Sequence, residues 1–122
     1  MIDHVSVTVS DVDAAKRFYA EALAPLGYAL VMEGDGWAGF AGGDPPIPDF
    51  FLGKREGGSA HFALRAADRA TVDRFHEAAL AAGGKDNGAP GIRSHYHENY
   101  YGAYVHDADG NNIEAVCQAP QE

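Results

Sequence analysis

Two histidines and one glutamate are the residues of this chain best placed to hold a transition metal. His4 and His61 each stand at the start of a short β-like segment, and imidazole is the commonest side chain for such ions near neutral pH. Glu114 interrupts the apolar run Asn112-Ile113-Glu114-Ala115-Val116 just after a turn. A carboxylate facing an interior is costly unless it is paired, protonated or metal-bound. Two imidazoles and one carboxylate leave coordination positions for water or a chelating substrate. That pattern suits Fe(II) and also accommodates Mn(II), Ni(II) or Zn(II).

A second group of reactive side chains lies in Ser94-His95-Tyr96-His97-Glu98-Asn99-Tyr100-Tyr101. His95 and His97 have the chemistry of general acids or bases. Tyr104 could give or take a proton beside a metal, and Tyr96 and Tyr101 could bind an aromatic or enolate ligand. Trp37 and Phe51 are candidates for the apolar wall of the same pocket. His76, by contrast, falls on an apolar helical stripe and reads as a structural residue.

What positions these residues is an internal repeat. Superposing Asp3-His4-Val5-Ser6-Val7 on Ala60-His61-Phe62-Ala63-Leu64 aligns the two histidines. The same offset then matches Asp11 with Asp68, Arg17 with Arg74, Phe18 with Phe75, Leu23 with Leu80 and Gly27 with Gly84. Each copy opens with an alternating strand, Val5 to Val9 or Phe62 to Ala66, and continues into a helix with one apolar stripe. Ser10 with Asp13 is expected to cap the first helix and Asp68 the second, with Gly27 and Gly83-Gly84 as stops. Short apolar runs follow: Tyr28 to Met32, Trp37 to Ala41 and Phe50 to Leu52, then Tyr100 to Val105 and Asn112 to Val116. The second-half counterpart of Tyr28 to Met32 is expected only near Lys85 to Asn87, with an irregular stretch from Asn87 to Asn99.

The order predicts an α+β fold of two βαβββ modules, about 1–53 and 60–118, within a single domain spanning 1–122. Side by side, the modules form a partly open, eight-stranded, barrel-like sheet with helices outside and a concave ligand face. Lys54 to Ser59 is the linker. Laying Asp49-Phe50-Phe51-Leu52 over Asn112-Ile113-Glu114-Ala115 puts Phe51 where the second half has Glu114, so a fourth metal donor is missing.

The opening Ile2-Asp3-His4-Val5, the helix around Arg17-Phe18-Tyr19 with Leu26-Gly27-Tyr28 after it, and the ending Asp107-Ala108-Asp109-Gly110-Asn111-Asn112-Ile113-Glu114 resemble the vicinal-oxygen-chelate superfamily of glyoxalases, bleomycin-resistance proteins and extradiol dioxygenases. The resemblance covers nearly the whole chain. It implies a divalent metal between paired modules, held by His4, His61 and Glu114, and a lyase, isomerase or dioxygenase acting on a small oxygen-chelating substrate. Phe51 departs from the four-ligand set of glyoxalase I, which turns the expectation away from that activity. The resemblance also implies an alternative, a metal-free binding protein of the bleomycin-resistance type, and a homodimer.

Composition narrows the classes further. The formal net charge of −9 and the absence of a Lys/Arg cluster argue against nucleic acid as a partner. Cys117 is the only cysteine, which excludes an intrachain disulfide or a cysteine zinc cage and suits a reducing cytoplasm. No apolar run approaches a membrane span of roughly 18 residues, so no membrane partner is expected.

Overall fold

In the computed structural model, which describes residues 2–55 and 59–121, each half of the chain forms one sheet and one long helix. The first half runs β1 (Val5–Val9), α1 (Val12–Ala22), a 3-10 turn (Ala24–Leu26), β2 (Ala29–Gly34), β3 (Trp37–Ala41) and β4 (Phe50–Lys54). The second runs β5 (His61–Arg65), α2 (Arg69–Ala81), β6 (Lys85–Ile92), β7 (Tyr101–His106) and β8 (Asn112–Cys117). The strand orders are β1-β4-β3-β2 and β5-β8-β7-β6, the same order twice. The fold is therefore α+β, built from two βαβββ modules with open four-stranded mixed sheets rather than a closed barrel. The middle of the expected linker, 56–58, lies outside the described residues.

Register fixes what each module shows to either side. The parallel pair β1 and β4 sets Val5 opposite Phe50 and Ser6 opposite Phe51, while β5 and β8 set Phe62 opposite Ile113 and Ala63 opposite Glu114. Phe51 and Glu114 thus occupy the same place in the two modules. Because strand side chains alternate, Val7, Val9, Phe50 and Leu52 share one face with Ile113, Ala115 and Cys117, and all are buried in one core cluster. Tyr19, Leu23, Val72 and Phe75 from the helices complete that cluster. His4, Phe51, His61 and Glu114 belong to the opposite face, and Cys117 faces away from Glu114 as its spacing requires.

Both helices begin at an aspartate whose carboxylate accepts a backbone N–H, Asp11 from Ala14 at 3.0 Å and Asp68 from Thr71 at 2.7 Å. The first cap is Asp11, not Ser10 with Asp13 as the sequence suggested. Asp11 has the extended backbone of a cap residue, and the Ser10 amide is already taken by Asp109 Oδ1 at 3.0 Å. The stops are where expected, with Gly27 and Gly83 both at positive φ, 86° and 103°.

β6 is the larger correction. It extends to Ile92 instead of ending near Asn87, and it remains a strand because its ladder with β7 skips the difficult residues. Register shifts between Asp86 and Gly88 and again between Gly88 and Gly91, so Pro90, which has no N–H to give, falls in a gap. The ladder then carries past its end through Arg93 N–H donating to the Tyr100 carbonyl at 2.7 Å, which closes 94–99 into a hairpin tip.

The modules are tied together by a polar knot at the turn before β8. Asn111, with no exposed surface, donates from Nδ2 to the Thr8 carbonyl at 3.2 Å and to Asp107 Oδ2 at 2.7 Å, and accepts from the Ala60 amide at 2.7 Å. Tyr19 O–H on α1 donates to the same Asp107 oxygen at 2.7 Å. One asparagine therefore joins the end of β1, the start of β5 and the β7–β8 turn, and so sets the two module faces relative to each other. His76 plays the structural part expected of it, its Nε2 lying 2.9 Å from Asp86 Oδ1 and linking α2 to β6.

Candidate metal and ligand site

The register brings His61 and Glu114 together. His61 opens β5 opposite Asn112, and Glu114 is two residues further along β8 on the same face. His61 Nδ1 lies 3.0 Å from the Asn112 carbonyl, an oxygen that can only accept, so Nδ1 carries the hydrogen and Nε2 of the neutral ring carries the lone pair. That Nε2 is 3.5 Å from Glu114 Oε1. Two acceptors thus face each other and call for a cation between them, a proton or a metal ion. A backbone carbonyl on the far nitrogen of an imidazole is the usual outer support of a metal-binding histidine.

Glu114 is only 2% exposed, and among the described residues His61 is its one ion-pair partner. Its other oxygen, Oε2, accepts a hydrogen bond from the Tyr100 phenol. Tyr104 stands directly opposite Glu114 in the β7–β8 register, with its ring stacked at 6.5 Å from His61 and the Arg93 guanidinium over it at 5.4 Å. Burial and, after it, the hydrogen bond to Glu114 push the Tyr100 phenol well above the ordinary tyrosine range. Burial followed by the Glu114 charge pushes Tyr104 in the same direction. Both phenols therefore stay protonated near neutral pH and can donate hydrogen bonds.

His4 sits just before β1 in the equivalent place to His61. Its Nδ1 is 2.8 Å from Asp3 Oδ1, which again leaves Nε2 as the free nitrogen, and its ring meets Phe51 edge-on at 5.8 Å. His4 and His61 line one cleft of about 310 Å³, with Val5, Phe50, Phe62 and Leu64 among its walls. Among the described residues, however, no three His, Cys, Asp or Glu side chains converge on a point that could hold a metal ion. One chain presents the pair His61 and Glu114, and His4 across the cleft.

The remaining predicted residues divide by position. Tyr96 is 62% exposed and rests on the Tyr100 ring at 5.0 Å, with the His95 ring 4.1 Å away from it. His97 accepts the Asn99 amide at its Nδ1, 3.1 Å away, inside the hairpin tip. Tyr101 points to the helix side, where its O–H donates to Asp73 at 2.6 Å and Arg69 covers its ring. Trp37 stays half-exposed and folds over Gly34, where any Cβ would collide with the indole. Gly39 likewise leaves room for Met32 and Phe51 to flank it. The residue that sequence reasoning did not single out is Tyr100. Its signal is the run Tyr100-x-Gly102-x-Tyr104, which places two phenols and a gap on one strand face.

The sequence profile of the Glyoxalase/Bleomycin resistance protein/Dioxygenase superfamily matches residues 1–115, and the chain belongs to that superfamily. Among solved structures, a glyoxalase/bleomycin resistance protein from Albidiferax ferrireducens T118 is 28% identical with a TM-score of 0.81, over 94% of this chain and 97% of that one. A glyoxalase/bleomycin resistance protein/dioxygenase family enzyme from Burkholderia phytofirmans PsJN shares the fold at 15% identity and TM-score 0.74, over 97% of this chain and 98% of that one. So does a glyoxalase-related enzyme from Fulvimarina pelagi, at 20% identity and TM-score 0.71, over 96% and 87%. No curated protein matches. Among the described residues, no helix is long and apolar enough to cross a membrane.

Proposed function

We propose that this chain is a divalent-metal-dependent lyase, isomerase or dioxygenase of its superfamily, acting in the cytoplasm as a homodimer on a small substrate with two neighbouring oxygens. The observation that carries the reading is the lone pair of His61 Nε2 facing Glu114 Oε1 across 3.5 Å, with that carboxylate buried and given no Lys or Arg partner among the described residues. His4, its Nδ1 likewise engaged, completes the donor set from the same chain or from a second copy. The set is two imidazoles and one carboxylate, the chemistry of Fe(II), Mn(II), Ni(II) or Zn(II) sites with open positions. A bound ion would supply a Lewis-acid point for the substrate's paired oxygens.

The chain's own residues then have distinct tasks. Tyr104, held protonated beside Glu114, donates a hydrogen bond to a substrate oxygen. His95 and His97, on the hairpin tip, exchange protons with solvent as general acid or base. Tyr96 covers the ligand from the same tip, while Phe51 and Trp37 on the other module receive its apolar part. Tyr101, turned toward Asp73, supports the strand from behind.

The test is elemental analysis of protein purified without added metal, followed by separate His4→Ala, His61→Ala and Glu114→Ala variants. One ion per chain, lost in all three, is expected; stoichiometric binding retained in all three refutes the site. Mixing His4→Ala with Glu114→Ala subunits locates the third donor, because binding restored in the mixture means a site between copies. A metal-free ligand-binding protein of the bleomycin-resistance kind is the second reading. It is favoured by the phenol already on Glu114 and by the lack of three convergent donors among the described residues. Chelator-stripped protein that keeps full affinity for its ligand would support it.

A further inference from the structure

We propose that Tyr100 is a positioning residue that makes Glu114 a one-oxygen metal ligand, an inference that rests on the metal-centre reading above. A carboxylate can bind an ion through either oxygen or through both, and what decides is where its second pair of lone pairs is spent. Here the two oxygens have different neighbours. Oε1 faces His61 Nε2, whereas Oε2 is taken by the Tyr100 phenol.

The backbone is arranged to allow this. Tyr100, Gly102 and Tyr104 alternate along one face of β7 and the residue before it, and Tyr104 lies opposite Glu114. The missing side chain at residue 102 is the notch in which the carboxylate and the phenol meet. A Cβ there would stand 3.2 Å from Tyr100 Cε1 and 3.3 Å from Glu114 Oε2. The hairpin tip fixes the phenol from the other side, through the Arg93 amide on the Tyr100 carbonyl and the Tyr96 ring against the Tyr100 ring.

The consequence for function is a count of open positions. With Oε2 held away, two imidazoles and one carboxylate oxygen fill three places on the ion and leave enough for both oxygens of a chelating substrate. Without the phenol, Oε2 turns to the ion and closes one of them.

The test uses Mn(II) with the full-length chain and counts ion-bound water from the broadening of the Mn(II) electron paramagnetic resonance signal in ¹⁷O-enriched water. Tyr100→Phe is expected to hold one water fewer than the wild type. The same count in both overturns the proposal while leaving the metal site standing; no Mn(II) binding by the wild type overturns both. Should Tyr100→Phe fail to fold or to bind, Gly102→Ala takes its place. Its Cβ pushes the phenol off the carboxylate, so the same loss of one water is expected and an unchanged count is again fatal.

Discussion

Replacing Asn111 by alanine tests whether a single side chain holds the two modules in their relation. Three hydrogen bonds disappear at once: those to the Thr8 carbonyl, to Asp107 Oδ2 and from the Ala60 amide. Alanine offers nothing in return, and Asn111 has no exposed surface through which water could step in without opening the turn. Asp107 keeps Tyr19 and the backbone amides of Asp109 and Asn111, so its loss is partial. The Thr8 carbonyl and Ala60 amide are left bare, at about 1 to 3 kcal/mol for each buried group. The total comes to about 3 to 5 kcal/mol. In urea, with a slope near 2 kcal/mol/M, the midpoint should fall by roughly 1.5 to 2.5 M at unchanged slope. By heat, the fall should be roughly 10 to 20 °C. A urea midpoint lowered by less than about 0.5 M would refute the reasoning, because it would mean that the knot is satisfied some other way.

Other outcomes follow from the same contacts. Glu114→Gln should abolish metal binding yet leave the metal-free fold at least as stable as the wild type in urea, since an amide N–H can donate to His61 Nε2 where a carboxylate cannot. Spectrophotometric titration should find Tyr19, Tyr28, Tyr100, Tyr101 and Tyr104 all ionising above the ordinary tyrosine value, Tyr28 at about 12 because of burial beside Asp49. A raised folded-state value favours the neutral phenol, so that part of the stability is complete below pH 10 and is lost as pH climbs through the folded values; thermal midpoints should fall steeply from pH 10 toward 12. At the acid end, the Thr71 bonds hold Asp68 below its usual 3.8 and His76 holds Asp86 below it too. Their contribution is present above that value and is lost as pH falls through the lower folded ones. Asp68→Asn combined with Asp86→Asn should therefore flatten the stability profile below pH 4.

Much of the site could be read from residues alone because a duplication writes each strand twice. Once His4 was laid on His61, the same offset predicted that Phe51 and Glu114 share a position, and the two parallel ladders agree residue for residue. It even contained the correct first cap, since Asp11 aligns with Asp68, although the Ser10-x-x-Asp13 spacing suggested a different one. β6 was hidden by its own composition. Asn87, Gly88, Pro90 and Gly91 are the vocabulary of turns, and only pairing with β7, interrupted at those residues, keeps them extended. Tyr100 and Tyr101 exchange roles relative to the sequence reading for a reason of parity. With Tyr104 opposite Glu114, an even-numbered tyrosine shares its side and an odd-numbered one goes to the helix. The approach of His4 to the other two donors is a matter of how modules meet, which strand patterns do not encode.

The mismatch of Phe51 with Glu114 has an effect on direction. A twofold scaffold with identical halves would accept a guest equally well either way round. Here one half ends in a phenyl ring and its mirror position in a carboxylate, so a molecule spanning both must turn its greasy end to β4 and its oxygen-bearing end to β8. The duplicated frame thereby reads its ligand head from tail, and a single inherited difference is enough to break the tie.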